Sequence, residues 1–150
     1  MKNFKKLICI FMAAISIFTL CACGNQEAIE ITEDKYVYWV NKIYGNPVIY
    51  MDKTITLEGA YTKQVDKQDG KTYTYVYRVG PGCCGNDGAL CGFPFMFNGT
   101  LPQENDWIYV EGELSTYTTG GTTKICLKAS KVETKTERGL VDVSGQENKN

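Results

Sequence analysis

The sequence predicts a mainly β fold, a small five-stranded antiparallel barrel of the OB type with one N-terminal helix. Apolar and polar residues alternate with a period of two in five segments between residues 54 and 132, as in strands with one buried face. Turn signals at residues 68–70 and 120–121 separate neighbouring segments. Gly59 and Gly112 occupy equivalent places in the first and fourth segments, where a glycine lets a long strand coil around a narrow barrel.

The elements follow in order along the chain. Residues 32–45 predict a helix, because apolar residues recur at helical spacing, acidic residues occupy the first turn, and Pro47 follows. The connection at residues 98–104 is too short for the helix usual between the third and fourth strands of an OB barrel. The N-terminal helix is therefore expected to close the open end of the barrel. The predicted strands are residues 54–61, 72–79, 92–97, 107–114 and 122–132.

The N-terminus reads as an export signal. Three lysines precede an apolar run at residues 7–20, which is too short to span a bilayer comfortably. The sequence LCACG at residues 20–24 resembles a bacterial lipobox, with Cys23 at the modified position. We therefore expect a signal peptide at 1–22, a diacylglycerol on Cys23, a flexible tether at 23–31 and attachment to the extracytoplasmic face of the cell membrane. An ordinary signal peptide or an uncleaved anchor helix are the alternatives.

The remaining boundaries and the charge limit the classes of function. The domain is expected to span residues 32–133, followed by a disordered tail at 134–150, where aliphatic residues are sparse.

The chain has no histidine, which excludes Ser/His/Asp and Cys/His catalytic sites. Without the signal, 13 basic residues face 17 acidic ones, so nucleic acid is an unsuitable partner. Three tyrosines at positions 73, 75 and 77 share one strand face, and rim packing is favoured over base stacking. No enzymatic activity is expected.

The least ordinary segment is the glycine-rich connection between the second and third predicted strands. It carries Cys83, Cys84 and Asp87, followed by Cys91, and Cys126 is the fourth cysteine of the exported domain. An even number of cysteines outside the cytoplasm favours disulfides. The same side chains would also suit zinc or copper(I), with Asp87 adding an oxygen ligand. A bond between the adjacent cysteines would be strained, so neither is expected to pair with the other.

From about residue 46 to 133 the sequence resembles the extracytoplasmic domain of the two-component membrane permease subunit family, whose function is uncharacterised. Members usually reach the membrane through transmembrane helices, whereas a lipid is expected here, and Cys91 and Cys126 are not part of the family pattern. The matching residues are Asn46-Pro47, Ile55-Thr56-Leu57-Glu58-Gly59, Cys83-Cys84 with Asp87, Gly92-Phe93-Pro94, and Asp106-Trp107-Ile108-Tyr109-Val110-Glu111-Gly112.

The resemblance implies a role at the membrane. The leading hypothesis is a lipid-anchored binding or accessory subunit whose partner is a multispanning permease. The alternative is a lipoprotein that binds a metal, zinc or copper, or performs thiol redox chemistry through the Cys83-Cys84 loop.

Overall fold

The computed structural model describes residues 28–81 and 88–146, which form six strands and one α-helix. The helix, α1 (Tyr36–Gly45), lies between two 3-10 helices, Glu33–Lys35 and Pro47–Tyr50. No helix in these ranges is long and apolar enough to cross a bilayer. The strands are β1 (Ile29–Ile31), β2 (Thr54–Val65), β3 (Thr72–Gly80), β4 (Ala89–Met96), β5 (Trp107–Thr119) and β6 (Thr122–Thr134).

Five strands close into a barrel in the order β2–β3–β4–β6–β5–β2. Neighbouring strands are antiparallel except β4 and β6, which are parallel. Closure depends on β2, whose residues 54–60 pair with β5 and whose residues 60–65 pair with β3. A single strand can serve two neighbours in this way only if it coils strongly. The predicted small β-barrel with one helix is confirmed.

Two glycines allow the strands to approach closely where the barrel coils. A Cβ atom on Gly59 would lie 2.5 Å from the carbonyl oxygen of Tyr77, and one on Gly112 would lie 2.7 Å from that of Lys128. The β5–β6 register also shifts between Glu111 and Gly112, as at a β-bulge. The obstructing atoms belong to the backbone, so both positions lack room for a side chain, as the sequence predicted.

The helix α1 covers the barrel through one apolar face. Tyr36, Val37, Val40 and Ile43 are at most 4% exposed and belong to the same core cluster as the inward residues of the strands. The α-helix begins at Tyr36 rather than at residue 32, because a 3-10 turn precedes it. The connection at residues 97–106 contains no helix, as expected.

The expected flexible tether at 23–31 is wrong at its C-terminal end. Ile29–Ile31 forms β1, which pairs in parallel with the beginning of β2. Residues 54–57 of β2 have no partner in β3, so β1 supplies hydrogen bonds along this stretch. Ile31 is only 3% exposed. The ordered domain therefore begins at β1, before the residue at which the polar neighbours of Ile31 suggested that it would begin.

The expected disordered tail at 134–150 is wrong for its described part, which ends at residue 146. Val79 exchanges backbone hydrogen bonds of 2.8 Å with Val141 and Val143, and Val143 is 2% exposed. The side-chain amide of Gln146 contacts Glu33 and Val37 near the beginning of α1. Residues 140–146, which we call the C-terminal clasp, therefore pack against β3 and α1. The sequence hides this contact because the three aliphatic residues of the clasp stand in a long polar and charged stretch, and their partners lie far away in the chain.

A buried arginine lies beneath the clasp. Arg78 is 3% exposed and its guanidinium lies 4.7 and 4.8 Å from the ring centres of Tyr36 and Trp107. It forms a 2.9 Å ion pair with Glu33. It also donates hydrogen bonds to the backbone carbonyls of Glu58 and Leu140, at 3.0 and 2.9 Å. Arg78 thus joins β2, β3, the start of α1 and the clasp.

Candidate functional site

The cysteine-bearing connection leaves the barrel at the end of the β3–β4 hairpin. Three predicted site residues, Cys83, Cys84 and Asp87, lie outside the described residues. The base of the connection is firm, because Gly80 of β3 pairs directly with Ala89 of β4. Both ends of the segment are therefore fixed to neighbouring strands.

Cys91 follows this connection and lies opposite Arg78 in the β3–β4 ladder. Its thiol is free and only 9% of the residue is exposed. Burial raises the pKa of the Cys91 thiol to about 11, because a thiolate loses hydration in apolar surroundings. Cys91 is therefore a protonated thiol at neutral pH. At that pH it loses its proton only if a metal or another partner stabilises the thiolate.

Cys126 lies in β6 opposite Ser115 and is 1% exposed. It is also a free thiol, and burial raises its pKa. The structure thus forms no disulfide between Cys91 and Cys126. Among residues 28–81 and 88–146, no three carboxylate or thiol side chains are grouped closely enough to hold a metal ion.

A cleft of about 340 Å³ opens where this connection joins the barrel. It lies between α1 and the beginning of β4, and its lining is apolar, aromatic or amide in character. None of the residues that line it carries a formal charge. They are Val37, Val40, Asn41 and Tyr44 of α1, Tyr75 of β3, Pro81, and Ala89, Leu90, Cys91 and Gly92 of β4.

Tyr44 is the residue of this cleft that the sequence did not single out. Its hydroxyl donates a 3.1 Å hydrogen bond to the carbonyl of Gly92. Its ring stacks on Phe93, with centroids 5.3 Å apart and planes 4° from parallel. Burial of the hydroxyl raises the pKa of Tyr44, so it remains a neutral donor. Phe93 covers one face of the Tyr44 ring, yet Tyr44 is 48% exposed. A fixed, exposed aromatic ring suits ligand binding.

A second cleft of about 330 Å³ adjoins the first, and Tyr44 and Tyr75 line both. Its floor and far wall come from β4, β5 and β6, including Pro94, Tyr117 and Lys124. Lys124 is partly neutralised by Asp66, 2.7 Å away. The two clefts form a groove across the barrel beside α1, with the cysteine-bearing connection at one end.

The predicted tyrosine row divides between packing and the groove. Tyr73 contacts Tyr117, with ring centroids 4.8 Å apart, and its hydroxyl donates to Asp69 at 2.8 Å. This is the rim packing that the sequence favoured. Tyr75, the next outward residue of β3, lines both clefts instead. The sequence showed which face these side chains share, but α1 determines which of them borders a cavity.

These features define a small OB-like barrel whose open side is covered by a helix and whose cysteine-bearing connection borders a cleft. The chain belongs to the family of the DUF1980 C-terminal domain, an uncharacterised family whose model matches residues 19–138. The match includes the barrel, α1 and the cysteine-bearing connection. No curated protein and no solved structure matches the chain.

Proposed function

We propose that this protein is a lipid-anchored extracytoplasmic subunit that binds a small ligand for a multispanning permease. The observation that carries the proposal is the uncharged cleft at the point where the cysteine-bearing connection joins the barrel. Tyr44, Tyr75 and Cys91 line it, and the connection is fixed at its base by the Gly80–Ala89 pair. A concave aromatic site of a few hundred cubic ångströms is typical of small-molecule binding. No general acid, base or nucleophile of raised reactivity lines the described cleft, which favours binding over catalysis.

Anchoring is supported by the short distance between Cys23 and the barrel. The first described strand begins at Ile29, six positions after the lipobox cysteine. Fully extended, this segment spans about 20 Å. A diacylglycerol on Cys23 would therefore hold the barrel close to the bilayer surface. The permease partner is supported by the resemblance of residues 46–133 to the permease subunit family.

The test compares Cys23→Ala with Cys21→Ala, a matched change two residues earlier. We expect Cys23→Ala to abolish lipid labelling and signal-peptide processing, and Cys21→Ala to leave both intact. The Cys21→Ala protein, solubilised from membranes in mild detergent, should copurify with a multispanning protein identified by mass spectrometry. Equal labelling of both variants would refute the anchor. A lipidated protein that elutes alone after crosslinking in the membrane would refute the permease partnership.

A metal-binding role is the second candidate, favoured by the location of Cys91. Its thiol lines the cleft two residues after β4 begins, so a metal held by Cys83, Cys84 and Asp87 would have a further sulfur ligand nearby. Zinc or copper(I) binding would release the thiol protons to solvent. Elemental analysis should find stoichiometric metal in the wild type and in Cys126→Ala, but not in the double variant Cys83→Ala/Cys84→Ala. If the wild-type protein contains no metal after growth with zinc or copper and purification without chelator, this candidate is refuted.

A further inference from the structure

Two aliphatic side chains project into solvent from the 3-10 helix Pro47–Tyr50, which we call the aliphatic turn. Val48 is 79% exposed and Ile49 is 55% exposed. Adjacent exposed β-branched residues are unusual in a turn, where polar residues normally dominate. Their exposure costs solvation free energy that burial against another surface would recover.

Aromatic rings and lysines flank the aliphatic turn. Tyr50, the last residue of the turn, packs edge-on against Trp39 of α1, with centroids 6.4 Å apart. The ammonium group of Lys53 lies 5.7 Å from the Tyr50 ring, and that of Lys42 lies 5.1 Å from the Trp39 ring. Tyr50 is itself only 7% exposed and belongs to the core, so it supports the turn from within. Trp and Lys, as at positions 39, 42 and 53, are residues that occupy the boundary between acyl chains and headgroups, where lysine stems stay apolar and the ammonium groups reach phosphates.

The direction of β1 places the N-terminal segment on the same side. β1 runs parallel to β2, with Ile29 opposite Ile55. Ile29, the first residue of β1, therefore lies beside the beginning of β2. That strand begins at Thr54, four residues after the aliphatic turn ends at Tyr50. The start of β1 and the aliphatic turn thus share one end of the barrel.

We infer that Val48 and Ile49 insert into the outer surface of the lipid bilayer to which the protein is anchored. This inference rests on the proposed anchor, because about 20 Å of extended chain between Cys23 and Ile29 keeps this end of the barrel nearest the membrane. Insertion fixes one orientation of the barrel. The permease is the rival occupant of the same surface, and the experiment distinguishes the two.

The test introduces a tryptophan at Val48 in the full lipidated protein and a control tryptophan at Val65. Val65 is also exposed, at 63%, but lies at the other end of β2. It lies eleven positions after Thr54, about 35 Å along an extended strand. Each variant is reconstituted in phosphatidylcholine–phosphatidylglycerol vesicles whose acyl chains are brominated, and its emission is compared with that in unbrominated vesicles and with the wild type.

The V48W indole should lose about half or more of its emission, since interfacial segments place apolar residues 5–10 Å into the bilayer. The V65W indole should keep its emission. Equal quenching of the two variants, or none in V48W, would overturn membrane insertion and assign the turn to a protein partner. Mass spectrometry of the N-terminal peptide reports the anchor independently. A lipidated but unquenched V48W protein refutes insertion alone, whereas a missing lipid refutes the proposed function and this orientation with it.

Discussion

Replacing Arg78 with methionine should destabilise the protein by about 3–5 kcal/mol, the usual result of breaking a buried charged network. The methionine keeps an unbranched apolar stem but removes two hydrogen bonds to the carbonyls of Glu58 and Leu140. Hydrogen bonds from a charged donor contribute about 1.5–3 kcal/mol each. The contacts with Tyr36 and Trp107 add about 0.5–2 kcal/mol each, and part of this total is offset because a methionine, unlike a guanidinium, carries no desolvation cost when buried. Glu33 is 43% exposed, so water replaces its lost partner and it contributes little to the cost.

The assay is urea denaturation of the purified protein at pH 7, followed by far-UV circular dichroism, with Arg138→Met as the matched control. Arg138 is exposed and donates one hydrogen bond, to the carbonyl of Asn105. Its replacement should cost less than about 1 kcal/mol. The Arg78 variant should also melt more than about 10 °C below the wild type, from about 4–8 °C per kcal/mol in a domain of this size. A loss of stability no larger than that of Arg138→Met would refute the reasoning.

Three further perturbations test separate features. Gly59→Val should destabilise the fold by at least about 1–3 kcal/mol, because its side chain meets backbone atoms. The control Gly45→Ala should not destabilise it, because the added Cβ meets nothing within 4 Å. Equal melting temperatures for the two variants would contradict the close strand approach. The pKa of Glu33 is lowered, first by the amide of Leu140 and then by Arg78, so its contribution to stability is complete above about pH 4.5 and is lost as the pH falls through the lowered pKa. Urea titrations should show the advantage over Glu33→Gln shrinking below pH 4.5, and a constant difference would contradict it. Peptide mapping after iodoacetamide treatment should find Cys91 unreactive at pH 7.5 and increasingly reactive towards pH 10, since its pKa is about 11; reaction in native protein as fast as in urea would contradict its burial.

The strands and the barrel could be predicted because their pattern is local. A period of two marks each strand wherever one face is buried, and Gly59 and Gly112 mark the tight coils. Strand ends were less accurate, since β5 continues to Thr119 beyond the predicted end at 114. There it pairs with β6 in a hairpin where neither face is consistently apolar, so the alternation disappears although the ladder continues.

The contacts that were missed depend on partners distant in sequence. Val143 lies between two polar residues, and its place in the core depends on a backbone hydrogen bond to Val79, 64 positions earlier. The burial of Arg78 leaves no local signal in the sequence, because its acceptors come from three other segments. For the candidate site, the sequence identified the cysteine-bearing connection and Cys91. It missed Tyr44, whose role appears only when α1 is placed beside β4.

The C-terminal clasp also constrains when folding can finish. The hydrogen bond between Leu140 and Glu33 spans 107 positions, and that between Gln146 and Glu33 spans 113. Contacts of such high order form late, since the entropy of closing the intervening loop must be overcome before they contribute. During synthesis, the network around Arg78 therefore cannot be completed until the clasp has left the ribosome. Until then Arg78 lacks its acceptor at the carbonyl of Leu140, and the carboxylate of Glu33 lacks the amide of the same residue.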